Sequence, residues 1–236
     1  MLNKSRFLKI TAVVCIYVSI AIFAGCGGNG TDGRGSGIVG TWSFEKRDSC
    51  NFLERTEFVF NSNGTGVGFL YINNVLAYPY SFTYSLTNDT VYINEYDDSF
   101  PYSGGTTFYY YDDKFTKTSE GSCGSNNKPN RPANINVATT SSVVNLTWDF
   151  VPGAKGYFVS GGSSSDNLWT VWATSTNSIS IDWGYYNDCH DRVNPNIYNA
   201  IENFFGSEIS TVYLKITAVN NCGFSEQSNI ISVHRP

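Results

Sequence analysis

The chain has 236 residues, of which 16% are aromatic and 15% charged, with 15 Lys+Arg against 20 Asp+Glu and a formal charge of −5. That balance supplies no basic footprint for a nucleic-acid backbone, so nucleic acid is excluded as a partner class. The length allows one or two domains. Short alternating apolar runs punctuated by Gly, Asn, Asp and Ser point to an all-β chain.

The first 25 residues read as a targeting segment. Lys4, Arg6 and Lys9 precede a mainly apolar stretch from Ile10 to Phe23, followed by Ala24, Gly25 and Cys26. At about 1.5 Å per residue this stretch spans roughly 21 Å, short of the ~30 Å hydrocarbon core of a bilayer. A cleaved signal is therefore expected in place of a transmembrane anchor. The stretch ending at Cys26 resembles the signal of bacterial lipoproteins, whose cysteine is diacylated before cleavage. The resemblance implies palmitate-type lipid on Cys26 and attachment to the membrane through that lipid in the bacterial cell envelope. Gly27 in place of aspartate favours the outer over the inner membrane. Removing residues 1–25 takes away three cations and no acid, leaving 12 Lys+Arg against 20 Asp+Glu, a formal −8. Residues 26–37, rich in glycine and without an apolar residue after Cys26 that could join a core, read as a flexible lipidated linker.

Cys15 leaves with the signal, so Cys50, Cys123, Cys189 and Cys222 remain to pair, in three possible ways. Cys50 and Cys123 bracket one β-rich segment and Cys189 and Cys222 lie in another. The expected bridges are therefore Cys50–Cys123 and Cys189–Cys222, each worth roughly 4 kcal/mol by chain entropy. No paired metal-ligand spacing accompanies them, and no metal or cofactor is expected.

Residues 38–123 read as a run of antiparallel strands: Thr56–Phe60, a turn at Asn63-Gly64 with two positive-φ residues, Gly66–Ile72, Tyr80–Leu86, a turn at Asn88-Asp89, Thr90–Tyr96, then Thr106–Tyr111 and Lys114–Lys117 across Asp112-Asp113. Seven or eight strands in this span predict closure into a small barrel, which removes sheet edges. The dense aromatics are read chiefly as packing, and the paired aspartates at 97–98 and 112–113 as solvated turns, not a calcium loop. Ile38-Val39-Gly40-Thr41-Trp42-Ser43-Phe44, Cys50 and the stretch Phe58 to Gly66 resemble the lipocalin-like domain common in bacterial lipoproteins. The resemblance implies an up-and-down barrel, sometimes with an interior cavity, and no catalytic signature.

Residues 124–131 read as a polar linker, and residues 132–236 as a second β domain. Val144, Leu146 and Trp148 alternate onto one face, a Val151-Pro152-Gly153-Ala154 turn follows, and then a strand from Gly156 to Ser160. Leu146-x-Trp148, Pro152-Gly153-Ala154 with Tyr157 and Val159, and Ala218-Val219-Asn220 with Gly223, Ser225 and Ser228 resemble a fibronectin type III domain. That resemblance implies a seven-strand sandwich whose core takes Leu146, Trp148, Tyr157, Leu214 and Ile216. Val212, not Tyr213, falls at the inward position. Residues 183–210 are an insertion. Asn194, Pro195 and Gly206 bound a predicted helix within it, whose stripe Ile197, Ala200, Ile201, Phe204 and Phe205 packs on the sandwich or, through Ile197, Ile201, Phe204 and Phe205, docks a partner.

The mature chain has two histidines, His190 and His234, and no nucleophile motif, phosphate loop or metal cluster goes with them. The expectation is a non-enzymatic envelope lipoprotein that acts as a protein- or glycan-interaction module. The alternative expectation is a carrier of a small apolar ligand inside the first barrel.

Overall fold

The computed structural model describes residues 37–48, 51–120, 123, 128–140, 142–182 and 210–235. Among these, apart from a single 3-10 turn at Asn94–Tyr96 and a one-residue start at Gly37, regular structure is all strand. The signal, the linker through residue 36, Cys26, Cys50, Cys189 and the expected helix with Ile197, Ile201, Phe204 and Phe205 lie outside the described residues. The described residues all fall within one compact unit.

Eight strands form the first sheet: β1 (Gly40–Arg47), β2 (Leu53–Phe60), β3 (Thr65–Ile72), β4 (Val75–Thr87), β5 (Thr90–Ile93), β6 (Asp98–Pro101), β7 (Thr107–Tyr110) and β8 (Asp113–Ser119). Their order is β6-β5-β4-β3-β2-β1-β8-β7, every described pairing being antiparallel. This is an up-and-down meander rolled into a nearly closed barrel. Side chains, not a hydrogen-bonded ladder, bridge β6 to β7: Phe100 stacks on Phe108 at 4.4 Å, and the Tyr110 hydroxyl donates to Asp98 at 2.6 Å.

The turns show where local sequence ruled and where it did not. Asn88-Asp89 turns as expected, with φ of 50° and 59°. At Asn63-Gly64 only the glycine is at positive φ, 80°. Asn63 instead uses its side-chain oxygen to accept from the Thr65 amide and hydroxyl, an Asx-type closure. The β7–β8 turn sits one residue earlier than expected, on Tyr111-Asp112, with Tyr111 at φ 54°. A further turn on Asn73-Asn74, with φ of 49° and 65°, starts β4 earlier than its apolar pattern suggests.

The barrel interior is packed solid. Trp42, Phe58, Phe60, Phe82, Phe108 and Phe115 are at most 3% exposed and touch ring to ring. Gly66 and Gly68 make room for it: a Cβ there would meet the Phe82 ring and the Tyr80 ring at 2.2 Å.

The second half is a sandwich. One sheet has the order β13-β10-β9, from β9 (Asn136–Thr139), β10 (Val143–Thr147) and β13 (Ser178–Asp182). The other runs β12-β11-β14-β15, from β11 (Gly156–Ser164), β12 (Asn167–Thr174), β14 (Thr211–Asn220) and β15 (Gly223–Phe224), with β16 (Ile231–His234) also on β14. Between the sheets lie Leu146, Trp148, Tyr157, Leu214 and Ile216, the core set expected from the sequence, with Val212 pointing inward beside them. The Tyr157 hydroxyl accepts from the Val151 amide at 2.9 Å, tying the turn before β11 to the core.

A third apolar cluster joins the two halves. Val59, Val67, Phe69 and Leu76, on the outside of the barrel, pack against Phe158, Ala173 and Val219, on the outside of the sandwich. Alternation explains why both layers are served: Phe58 and Phe60 point into the barrel while Val59 between them points to the sandwich, and Tyr157 and Val159 point into the sandwich while Phe158 points to the barrel. Leu76 seats over Gly156, where an added Cβ would meet its Cδ2 at 2.3 Å. Gly156→Val should therefore lower unfolding free energy by about 1–3 kcal/mol through overpacking, read from urea melts. Leu76→Ala in the same chain should relieve part of that clash, giving a non-additive double mutant.

Candidate functional site

Two places concentrate chemistry among the described residues: the join between barrel and sandwich, and one mouth of the barrel. At the join, Cys123, just after β8, is bonded to Cys222, in the turn between β14 and β15, with Cα atoms 4.8 Å apart and a sequence separation of 99. This corrects the expected pairing. Cys123 does not bridge to Cys50, nor Cys222 to Cys189, because the packed seam brings the end of the barrel onto the β14–β15 turn. The bridge links the domains where bridges within each domain were expected.

Asn61 organises the surroundings of that bridge. It is 3% exposed, and its carboxamide oxygen accepts from the Cys123 amide at 2.8 Å while its Nδ2 donates to the Asn221 carbonyl at 3.1 Å. Its backbone carbonyl accepts from the Tyr84 hydroxyl at 2.6 Å. One side chain thus ties the β2–β3 hairpin, the end of the barrel and the sandwich turn together. Lys155 and Glu57 form an ion pair across the same join, and the Lys155 ammonium also lies 4.8 Å from the centroid of the Phe69 ring. Sequence reading gave Asn61 no role of its own within the stretch Phe58 to Gly66. Its neighbours Ser62, Asn63 and Gly64 gave no sign that its side chain faces inward.

The barrel mouth is built from tyrosines that sequence reading assigned to packing. Phe58 is its floor, 2% exposed, and the rings of Tyr80 and Tyr110 stand edge-on to it at 6.2 and 5.7 Å. Tyr96, on the 3-10 turn before β6, stands edge-on to Tyr80 at 5.9 Å, and Tyr111 leans on Tyr110 at 4.7 Å. Asp98 accepts from both the Tyr110 and the Tyr111 hydroxyls, at 2.6 and 2.8 Å. The paired aspartates expected to be plain solvated turns thus include one that fastens the mouth. Burial, with Tyr78 and Glu95 nearby, pushes the Tyr96 phenol up to about 12. Burial first, then the hydrogen bond to Asp98, drives Tyr110 far above its ordinary range.

Elsewhere the chemistry is thin. A shallow cleft of about 550 Å³ between Arg131–Ile135 and Asn229–Ile231 holds one ionisable side chain, Arg131, which is already hydrogen-bonded to Asn229. His234, on β16, is paired with the Thr211 hydroxyl at 2.9 Å. His190 lies outside the described residues. Among the described residues no group of three or more His, Cys, Asp or Glu side chains converges on a point where a metal would bind.

No protein-family model matches the chain, and no curated protein matches it. Solved structures similar to part of it include fibronectin type III domains. A Fn3-like protein from Clostridium thermocellum is 18% identical, with 47% of this chain and 96% of that one covered and a TM-score of 0.32. The third fibronectin III domain of the human KIAA0343 protein is 19% identical, with 49% and 94% covered and a TM-score of 0.31. At these TM-scores the description of the sandwich rests on its own strand order.

Asn61→Leu should cost about 1–3 kcal/mol, because it leaves the Cys123 amide and the Asn221 carbonyl without their partner. Cys123→Ser should cost about 2–4 kcal/mol. Both are read from urea melts. Tyr71, Tyr84 and Tyr96 are all pushed to about 12, from an ordinary 10. A phenol whose folded value is raised contributes stability that is present below pH 10 and lost as pH rises from 10 to 12. Stability should therefore fall across that window, in step with the rise of tyrosinate absorbance.

Proposed function

We propose that this chain is a non-catalytic interaction module of the bacterial cell envelope, held to the membrane, the outer one in preference to the inner, by lipid on Cys26. The lipoprotein-type segment from Lys4 to Cys26 supports the anchor, and several acyl chains on one cysteine hold firmly where a single chain holds only marginally. Lipocalin-like barrel and fibronectin type III sandwich are the family readings of the two halves. The partner is an envelope protein or a glycan.

The observation that carries this reading is the filled barrel. Rings occupy the interior from Trp42 to Phe115, so an apolar ligand would have to displace packed side chains at a cost of several kcal/mol. This packing counts against the carrier reading and favours recognition by outer surfaces. Because the two halves are joined by a packed seam and a disulfide, those surfaces keep one relative orientation, which lowers the entropy lost on binding.

Two measurements test this. Cys26→Ser should move the protein from the membrane to the soluble envelope fraction and abolish palmitate labelling. Retention of label would overturn the anchor. Chemical crosslinking of the lipidated protein in its own envelope should capture a discrete partner. An apolar ligand co-purifying in native mass spectrometry, or turnover abolished by His190→Ala, would replace the interaction reading with the carrier or with an enzyme.

A further inference from the structure

The barrel has two unlike outer walls. On β2 and β3 the outward side chains are Val59, Val67 and Phe69, and the sandwich covers them. On β5 to β7, and on β4 from Ser81 onward, the positions that alternate with the buried ones are all serine, threonine or tyrosine, save Pro101. None of them carries a charge. Across the middle of this wall runs one row. Register sets Ser85 beside Tyr92 and Tyr92 beside Ser99. On the inside of the β6–β7 join, Phe100 meets Phe108 and Asp98 meets Tyr110, so Ser99 and Tyr109, lying between those pairs, face each other on the outside. Tyr92 and Tyr109 are 44% and 55% exposed, and two strand spacings set them roughly 10 Å apart. Among the described residues nothing hydrogen-bonds to the side chains of Ser85, Tyr92, Ser99 or Tyr109, and no ring packs on either tyrosine. Charge stands only at the margins of the row: Glu95 accepts from the Thr83 amide, and Lys114 is paired with Tyr109 on β8.

Those properties select among partners. A strongly charged partner finds no row of counter-charges on these strands. An apolar one would strip water from the hydroxyls with no polar return. A polypeptide anchor needs a contiguous, desolvated centre, and here Ser99 separates the two rings. A neutral glycan fits on each count. Its hydroxyls both donate and accept, as those of Ser, Thr and Tyr do, and the C–H faces of its sugar rings suit the negative faces of tyrosine rings. Resting on the interaction-module reading above and narrowing its partner, we propose that the outer wall of β4–β7 is a platform for a neutral glycan chain. The chain lies across the strands, with sugar rings over Tyr92 and Tyr109 and hydroxyls bonded to Ser85 and Ser99.

The test is isothermal titration calorimetry of the full-length chain, in a detergent without a sugar headgroup, with the β-linked hexasaccharides of glucose, N-acetylglucosamine and mannose. At least one should bind with a Kd below about 1 mM. Tyr92→Ala and Tyr109→Ala should each weaken that binding about five-fold, while Tyr109→Phe, which keeps the ring, should stay within about two-fold. Both side chains are exposed, so an unchanged melting temperature serves as the folding control. Binding of none of the three sugars, or binding unchanged in the double variant Tyr92→Ala/Tyr109→Ala, would overturn the platform. A sulfated hexasaccharide held equally well by the same two tyrosines would overturn the preference for a neutral chain. An envelope protein crosslinked to wild type and lost from the double variant would make the occupant a polypeptide and refute the glycan. Capture unchanged in the double variant, with no hexasaccharide bound, would refute this wall as the site and leave the interaction module standing.

Discussion

The seam between barrel and sandwich is the constraint from which the rest of the architecture follows. Val59, Phe69 and Leu76 are at most 1% exposed, and the cluster that buries them takes Phe158, Ala173 and Val219 from the other half. Undocking would return that apolar surface to water at roughly 25 cal/mol per Å², so the halves behave as one folded body. Docking also dictates the chemistry next to it. It brings Cys123 to Cys222, sets the carboxamide of Asn61 between the two domains, and places Lys155 between Glu57 and the ring of Phe69.

Filling the barrel with rings has a structural consequence as well as an energetic one. Trp42, Phe58, Phe108 and Phe115 fill the interior with rings in mutual contact, and further aromatic side chains stand at the mouth. The same side chains that close the gap between β6 and β7, namely Asp98, Tyr110, Phe100 and Phe108, shape that mouth. Barrel closure and the shape of the mouth therefore share residues.

Much of this was legible in the chain itself. Alternation put Val144, Leu146 and Trp148 on one face and Val212 inward, because a strand with one buried face must repeat every second residue, and the resemblance to fibronectin type III implied Leu214 and Ile216 beside them. Asn88-Asp89 announced its turn because few residue types tolerate the left-handed region. What was not legible has equally physical causes. Phe58-Val59-Phe60 lies in a strand buried on both faces, and nothing local says that the second face meets another domain. Asn61 looked like any polar turn residue because its partners, Cys123 and Asn221, are 62 and 160 positions away. Tyr111 holds a turn position that propensity assigns to asparagine or glycine, and it is fastened there by an aspartate from another strand.

The sequence by itself determined the all-β class, a strand meander followed by a sandwich pattern, and the aromatic content that a small core requires. These are properties of period and composition, read within windows of a few residues. Only the tertiary structure decided which cysteines meet, that the barrel is solid, and that two domains share a buried seam. Each of those depends on distances between residues far apart in the chain. Such distances are set by which outer faces pack together, and local pattern carries no record of that choice.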